Sequence, residues 1–217
     1  MEKLAIEGGE PVRREPFPSE DIVIEEDEIN AVVEVLKSKR LVRGEVTVKY
    51  EKALAEYFGV KHALAVANGT VNMRIALAAM GVGPGDEVIT TAHTATATAE
   101  AVTLTGAKVV LCDTIRDTFN MDPEDVEKRI TDRTKAIIAV HLYGQPAEIE
   151  RLAEIAKQRG LFLLEDCSQA HGARYKGKRV GTFGDAAVFS FFPSKPLGGF
   201  GDGGAITAKD PELLKRI

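Results

Sequence analysis

The sequence predicts an α/β fold with three layers, in which helices cover both faces of a seven-stranded, mostly parallel sheet with one antiparallel strand. Seven short β-type runs alternate with helix-like segments along most of the chain. The runs are apolar at nearly every position, which is typical of strands covered on both faces. The connection before the last run, at 195–204, is too short for a helical crossover, so the last strand should be antiparallel.

The elements begin after a polar stretch that contains three prolines. Residues 1–20 are predicted to form an extended N-terminal arm, and residues 21–217 the folded domain. Two helices are predicted first, at 25–37 and 46–58. In the first helix, apolar residues recur at the spacing of a single helix face, at Ile29, Val32, Val33 and Leu36.

Strands and further helices follow in alternation. The predicted strands cover residues 62–67, 87–92, 108–113, 135–142, 161–167, 186–192 and 204–208. The predicted helices between them cover residues 70–80, 94–105, 123–130 and 146–158. The first of these four helices ends at Gly81 with Pro84 beyond it, which is a common stop signal.

Composition excludes several classes of function. The chain has 217 residues, 44% hydrophobic and 28% charged, which is ordinary for a globular protein with a real core. Its net charge of −5 argues against a nucleic-acid partner. No apolar run approaches the ~20 residues of a membrane span, and the N-terminus does not resemble a signal peptide. Two cysteines form neither a disulfide framework nor a metal site with the four histidines, so a cytoplasmic protein without a metal is expected.

Residues with chemical potential follow the ends of the predicted strands. In an open α/β sheet, ligands bind beyond the carboxyl ends of the parallel strands. Asp166 lies near the end of the fifth strand, with Gln169 just beyond it, and Ser190 lies near the end of the sixth strand, which leads to Lys195. A lysine for a Schiff base, an acid for a pyridinium and a hydroxyl for a phosphate are the parts that pyridoxal 5'-phosphate needs.

The first strand is followed by Asn-Gly-Thr at the start of a helix. Gly69 lets the backbone approach a ligand closely, and the helix N-terminus favours a phosphate, to which Thr70 adds a hydroxyl. Thr70 could instead be a plain helix N-cap. Likewise, Asp166 could cap the next turn, and Gln169 could contact the cofactor's phenolic oxygen or ring face or make only a turn hydrogen bond.

Three further residues are candidates, two of them at a strand end and one in the loop between the first two helices. His141 and Tyr143 are expected to line the pocket, and Arg43 to meet an anionic substrate or remain exposed in solvent.

Seven blocks of sequence, spread along nearly the whole chain, resemble the DegT/StrS family of pyridoxal-phosphate-dependent sugar aminotransferases. They are Gly8-Gly-Glu-Pro-Val-Arg13, Ala67-Asn-Gly-Thr70, Gly83-Pro-Gly-Asp-Glu-Val88, His141-Leu-Tyr-Gly-Gln-Pro146, Glu165-Asp-Cys-Ser-Gln-Ala-His-Gly172, Gly181-Thr-Phe-Gly-Asp185 and Ser190-Phe-Phe-Pro-Ser-Lys195. The resemblance implies the type I aminotransferase fold, with 21–217 as its cofactor-binding large domain. It also implies a homodimer.

The resemblance implies a role for each candidate. Lys195 would hold the cofactor as a Schiff base, Asp166 would pair with the pyridine nitrogen, and Gln169 would lie close to the ring. The phosphate would be held by Gly69, Thr70 and Ser190. The implied reaction moves an amino group from an amino acid, Glu or Gln, to a keto-sugar or keto-cyclitol.

The sequence departs from the family pattern in two places. The family has an aromatic residue at the position of Ala95, where it stacks on the cofactor, and His93 is expected to take over that role here. The family also has a C-terminal small domain, which is expected to be absent from this chain. A catalytically weak or inactive cofactor-binding or regulatory remnant is therefore the alternative to an active enzyme.

Overall fold

The structure is a computed structural model that describes residues 3–15 and 22–217. Its strands are β1 (Ala63–Val66), β2 (Glu87–Thr91), β3 (Lys108–Cys112), β4 (Thr134–Val140), β5 (Phe162–Asp166), β6 (Arg174–Tyr175), β7 (Lys178–Arg179), β8 (Ala186–Ser190) and β9 (Gly204–Ala208). Its helices are α1 (Glu26–Ser38), α2 (Glu45–Phe58), α3 (Gly69–Ala79), α4 (Thr96–Thr103), α5 (Pro123–Arg129), α6 (Ile149–Arg159) and α7 (Pro211–Arg216).

Seven strands form one mixed sheet in the order β1-β9-β8-β5-β4-β2-β3. Strand β9 runs antiparallel to both of its neighbours, and the other pairs are parallel. The predicted fold class and the antiparallel last strand are therefore confirmed. β9 is antiparallel because the chain between β8 and β9 is long enough for a loop but not for a helical crossover, as the sequence analysis expected.

The sheet lies between two layers of helices. On one face, α3, α4 and α7 pack on side chains such as Ile138 and Val188. On the other face, α5 and α6 cover Ile137 and Leu163, and α2 covers the region around Phe189. Alternate residues of a strand thus serve opposite layers, which explains why the strand sequences are apolar throughout.

Several features differ from the predicted element list, among them α7, which is not on it. β6 and β7 form a separate two-stranded hairpin, which the sequence analysis did not predict. In the N-terminal arm, the described residues 3–15 are mostly exposed and contain a single 3-10 turn at Ala5–Glu7, while residues 16–20 of the predicted arm lie outside the described residues. Within the described ranges, no helix combines the length and the apolar character needed to cross a membrane.

A buried carboxylate joins three segments of the fold. Glu165 is fully buried, and its Oε2 accepts hydrogen bonds from His141 Nε2 at 3.0 Å and from the Gly181 amide at 2.7 Å. Its Oε1 accepts from the amides of Phe183 and Gly184 at 2.7 and 2.6 Å. Four donors therefore satisfy one buried charge, as burial of a carboxylate requires.

His141 is part of this arrangement and not of a pocket wall. The Ala147 amide donates to its Nδ1 at 3.0 Å, so Nε2 carries the proton that is donated to Glu165. The His141 amide in turn donates to the carbonyl of Asp166 at 3.1 Å. The prediction that His141 lines the pocket is wrong, because the ring is completely buried between these partners.

The same atoms lie near Cys167, and the three residues His141, Glu165 and Cys167 place ligand-type atoms within 4.8 Å of one another. The hydrogen bonds already engage both ring nitrogens and both carboxylate oxygens. Burial raises the pKa of the Cys167 thiol well above its usual value. This cluster is therefore best described as a hydrogen-bonded core with a buried thiol beside it.

The hydrogen bonds determine how Glu165 contributes to stability. Burial by itself would raise the pKa of this carboxyl, but the hydrogen bonds from His141, Gly184 and Gly181 outweigh burial and lower the pKa from 4.5. A carboxyl whose pKa is lower in the folded state stabilises the fold above its unfolded pKa. That stabilisation is lost as the pH falls through the folded-state pKa.

We predict that Glu165→Gln lowers the free energy of unfolding by at least about 2 kcal/mol, because either orientation of the amide turns its NH₂ group towards two N–H donors. Urea denaturation at neutral pH measures this loss. The acid-induced decrease in stability should also become shallower in the variant, because one carboxylate with a lowered pKa is gone.

Glu154→Gln is the matched control, because Glu154 makes only an exposed ion pair with Arg151 on the surface of α6. Its expected cost is below about 1 kcal/mol. Equal losses in the two variants would contradict a structural role for the buried carboxylate.

Candidate active site

A cavity of about 420 Å³ opens at the carboxyl ends of the parallel strands. Six of the seven residues predicted from the sequence to bind the cofactor line it, and these are Gly69, Thr70, Asp166, Gln169, Ser190 and Lys195. They come from the ends of β1, β5 and β8, and the first of these strands is distant in the chain from the other two. The sheet order places β8 directly beside β5, so their carboxyl ends meet at this cavity.

One end of the cavity has the form of an anion cradle. Gly69 is the first residue of α3, and a Cβ atom at this position would lie 2.9 Å from Ser190 Cβ, 3.3 Å from Ser190 Oγ and 3.4 Å from Ser168 Oγ. Glycine is thus required for the helix N-terminus to come this close to two hydroxyl groups. Amides at a helix start and nearby hydroxyls are what a phosphate group binds.

The cap of α3 is made by Asn68 and not by Thr70. The Asn68 side chain accepts a hydrogen bond from the Val71 amide at 3.0 Å, while its amide nitrogen donates to Asp202 at 3.3 Å. Thr70 is consequently not needed as a cap, and it lines the cavity. The alternative in which Thr70 only caps the helix is wrong.

Asp166 lies at another part of the cavity wall. It ends β5, is 5% exposed, and its Oδ1 accepts a hydrogen bond from the Ser168 amide at 3.0 Å. Among the described residues, no lysine or arginine forms an ion pair with it. A nearly buried carboxylate without a cationic neighbour suits a ligand that brings its own positive charge, such as a protonated pyridine.

Lys195 lies in the loop that follows β8. Its amide donates to the carbonyl of Phe192 at 2.8 Å, and its half-buried side chain lines the cavity. The loop folds tightly on itself, since a Cβ at Gly198 would lie 2.4 Å from the carbonyl oxygen of Pro193. A glycine is therefore needed for the turn that presents the lysine to the cavity.

Gln169 is placed by a hydrogen bond between two turns, and its contact with the cofactor remains a prediction. It lines the cavity, and its Oε1 accepts a hydrogen bond from the Tyr143 amide at 2.7 Å. That bond joins the turn after β5 to the turn after β4. Tyr143 itself is exposed and is not part of the cavity wall, although its hydroxyl lies 3.2 Å from His93 Nε2.

His93 is the one predicted cofactor residue that does not line the cavity. Its exposed ring stands edge-on to Tyr143 and Phe119, with centroid separations of 5.8 and 6.0 Å. Thr94 and Ala95 line the cavity in its place. Stacking of His93 on the cofactor remains a prediction.

Two residues that sequence reasoning did not assign also belong to the site. Ser168 contributes its amide to Asp166 and its hydroxyl to the cradle. His171 stacks on Phe191 and donates from Nε2 to the carbonyl of Ser190 at 2.9 Å. Burial lowers the pKa of His171, so its ring is neutral at neutral pH and supports the strand end that carries Ser190. Ser168 and His171 lie in the same sequence motif as Asp166 and Gln169, and this proximity was the signal that could have identified them.

Arg43 lies away from this cavity. Its guanidinium pairs with the buried Glu51 at 2.6 Å, and Glu51 also accepts the Ala65 amide at 3.1 Å. Glu51 therefore joins α2 to β1, and Arg43 neutralises its charge.

The residues of the cavity fit a single group with three features. These are a phosphate for the cradle, a ring nitrogen for Asp166 and a carbonyl for Lys195.

Comparison with known proteins agrees with this geometry. The chain is 51% identical to the pleiotropic regulatory protein of Geobacillus stearothermophilus, over 84% of this chain and 49% of that protein. It is 44% identical to the dTDP-3-amino-3,4,6-trideoxy-alpha-D-glucose transaminase of Micromonospora megalomicea subsp. nigra, over 88% of this chain and 51% of that enzyme. The chain thus spans about half the length of the curated relatives it matches.

A solved structure and a family model complete the comparison. The structure of NtdA from Bacillus subtilis with bound cofactor PMP is 34% identical, with a TM-score of 0.87 over 95% of this chain and 48% of that one. The model of the DegT/DnrJ/EryC1/StrS aminotransferase family matches residues 23–217. The chain therefore belongs to the DegT/DnrJ/EryC1/StrS aminotransferase family, with the fold that the sequence predicted.

Proposed function

We propose that this chain forms the cofactor-binding part of an enzyme that transfers an amino group from an amino acid, Glu or Gln, to a keto-sugar or keto-cyclitol. Pyridoxal phosphate is the cofactor of this family. The observation that carries the proposal is the convergence of Lys195, Asp166 and the anion cradle on one cavity. The cytoplasmic location expected from the sequence stays a prediction.

The residues of the cavity would have separate roles in binding the cofactor and in moving the proton. Pyridoxal phosphate, when bound, supplies an electron sink for the carbanion formed at the substrate carbon. The Lys195 amine would bind the cofactor carbonyl and, once displaced by an amino donor, carry the proton as general base and then general acid. The Gly69 backbone with the hydroxyls of Thr70 and Ser190 would fix the phosphate, and so the position of the ring.

Asp166 would hold the ring nitrogen in its protonated form. A charge pair inside a nearly buried site is stronger than the same pair in water, because less solvent screens it. The neighbouring Glu165 cannot take this role, since its two oxygens already accept four hydrogen bonds inside the core. Adjacent acids on one strand thus have separate tasks, one in the core and one in the cavity.

Relatives support a nucleotide-linked keto-sugar as the acceptor. One is named as a transaminase of a dTDP-amino sugar, and another, 47% identical over 88% of this chain and 54% of that enzyme, as the UDP-2-acetamido-2-deoxy-3-oxo-D-glucuronate aminotransferase of Pseudomonas aeruginosa. The rest of the cavity wall, which includes Val71, Thr94 and Asp202, leaves an open side where a substrate can enter.

We predict that borohydride reduction of the chain loaded with pyridoxal phosphate attaches the cofactor to Lys195, since this is the lysine that lines the cavity. Peptide mass mapping identifies the modified residue. Lys195→Arg keeps the charge but should give no adduct. Modification of a different lysine would overturn the assignment, and an adduct at Lys195 without any turnover would favour the remnant over the active enzyme.

We predict that Asp166→Asn slows the half-reaction with an amino donor at least about a hundredfold, since loss of one partner of a buried charge pair costs ~3 kcal/mol or more. Stopped-flow absorbance measures the rate. Asp202→Asn removes an equal charge from the exposed part of the same cavity wall and should have a much smaller effect. Equal rates in the two variants would contradict the proposed pairing.

We also propose that two copies of the chain associate, with the cavity near their interface. None of the residues of α1 is buried, and its apolar face is exposed, with Ile29 44% and Leu36 58% accessible. Phe192, Leu197 and Phe200, which belong to the loop around Lys195, are exposed as well. Apolar surface of this kind is unusual for a monomer and is covered by association.

Light scattering should accordingly give about twice the chain mass of 23.4 kDa. Leu36→Glu should shift the protein towards the monomer, because a charge would have to be buried in the interface. Asn30→Glu adds the same charge to α1 away from the apolar face and should leave the mass unchanged. If the protein is a monomer and still retains its cofactor, the cofactor site does not need the interface.

A further inference from the structure

A second groove lies at the opposite end of the sheet from Lys195. Its volume is about 810 Å³, and it lies between the hairpin β6–β7, the end of α2 and the residue after β9. Lys209 follows Ala208, which pairs with Ala186 at the amino end of β8. The groove is therefore separated from the cofactor cavity by the length of the strands, and nothing in the proposed reaction uses it.

The groove is strongly basic in a protein with net negative charge. Five bases line it, against the single acid Glu56 among the described lining residues. The bases are Arg174, Lys176, Lys178, Arg179 and Lys209. Of these, Lys176 pairs with the carboxylate of Glu150, whereas the other four have no carboxylate within ion-pair distance in the described part of the chain.

The positions of these cations are set by uncharged neighbours. Arg174 donates to the carbonyl of Gly177 at 2.7 Å, and Lys209 donates to the carbonyl of Phe183 at 2.6 Å. The ammonium of Lys178 lies 4.3 Å from the centre of the Phe183 ring. Each cation is thus held in place without being neutralised.

Arg179 is the most constrained of the group. Its guanidinium lies 4.0 Å from the centre of the Tyr57 ring, and its Nε is buried without a hydrogen-bond partner. Stacking on an aromatic ring fixes the plane of the guanidinium and leaves its edge free for a bidentate acceptor.

We propose that this groove is a binding site for a small anion that carries a diphosphate group. Planar guanidinium groups bind phosphate oxygens in pairs, and lysines add point charges around them. The concave shape and the short span of the cluster, within one hairpin and one strand end, suit a small molecule. The free diphosphate and a nucleoside diphosphate share this chemistry, and the exposed part of Tyr57 could distinguish them by stacking on a base.

The test is calorimetric titration of the chain, saturated with pyridoxal phosphate, with inorganic pyrophosphate, UDP and uridine. Pyrophosphate and UDP should bind, uridine should not, and added salt should weaken both bound anions. Tighter binding of UDP would identify a nucleotide as the ligand, and equal affinities would identify the free diphosphate. Binding of uridine as tight as that of UDP would overturn the proposal.

Three variants locate the site. Arg179→Gln should weaken pyrophosphate about tenfold or more, since hydrogen bonds between charged groups are worth ~1.5–3 kcal/mol. Glu56→Gln should strengthen it, because a repulsive charge is removed from the groove. Lys157→Gln, on the exposed surface of α6, is the matched control and should change nothing.

The absorbance of bound pyridoxal phosphate should be the same in Arg179→Gln as in the unmodified chain, which separates this site from the cofactor cavity. Conversely, Ser190→Ala should weaken the cofactor but not pyrophosphate. Loss of pyrophosphate binding in Ser190→Ala would show that the anion binds in the cofactor cradle, and persistence of binding in Arg179→Gln would show that it does not depend on the groove. Either result would overturn the proposal.

Discussion

The buried carboxylate of Glu165 is the interaction on which the site depends. It joins the end of β4 through His141, the end of β5 through its own backbone, and the loop before β8 through three amides. Its neighbour Asp166 is directed into the cavity, because successive side chains of a strand point to opposite faces. The position of Asp166 in the cavity thus depends on how firmly the adjacent Glu165 is held in the core.

Close approach of backbone segments is the second constraint. α3 can lie against β8 and β9 only because its own first residue is Gly69 and because Gly204 of β9 has no side chain where Asn72 lies. Between them, the buried Asn72 donates to the carbonyl of Phe189 at 3.0 Å and to that of Ala205 at 3.3 Å. The N-terminal part of the helix is therefore fixed by hydrogen bonds from the Asn72 side chain to the backbone of the sheet, including the strand that carries Ser190.

Charge is distributed unevenly between the two ends of the sheet. At the carboxyl ends, a cradle of amides and hydroxyls adjoins a lysine and an acid, which suits a zwitterionic ligand. At the amino ends, the hairpin β6–β7 and Lys209 present cations with little compensation. The chain has a net charge of −5, and many of its other bases pair with acids, as Arg43 does with Glu51 and Arg133 with Glu87. The uncompensated cations at the amino ends therefore differ in charge from the cavity at the carboxyl ends. Thr131, Arg133 and Lys108 donate hydrogen bonds to the Glu87 carboxylate, and these bonds lower its pKa to about 2. The ion pairs of Glu87 with Arg133 and Lys108 therefore persist to low pH.

The sequence by itself determined the seven strands, the antiparallel course of β9 and the end of the sheet at which the cavity opens, because these follow from local periodicity, connection length and parallel-strand topology. It also identified six of the residues that line the cavity, since each lies in a short motif at a strand end. Only the tertiary structure decided that Asn68 caps α3, that Ser168 joins the cradle and that His141 pairs with Glu165 in the core. It alone brought the hairpin β6–β7 together with Tyr57 and Lys209. These contacts join residues distant in sequence, and they depend on the strand order β1-β9-β8-β5-β4, which no local pattern encodes.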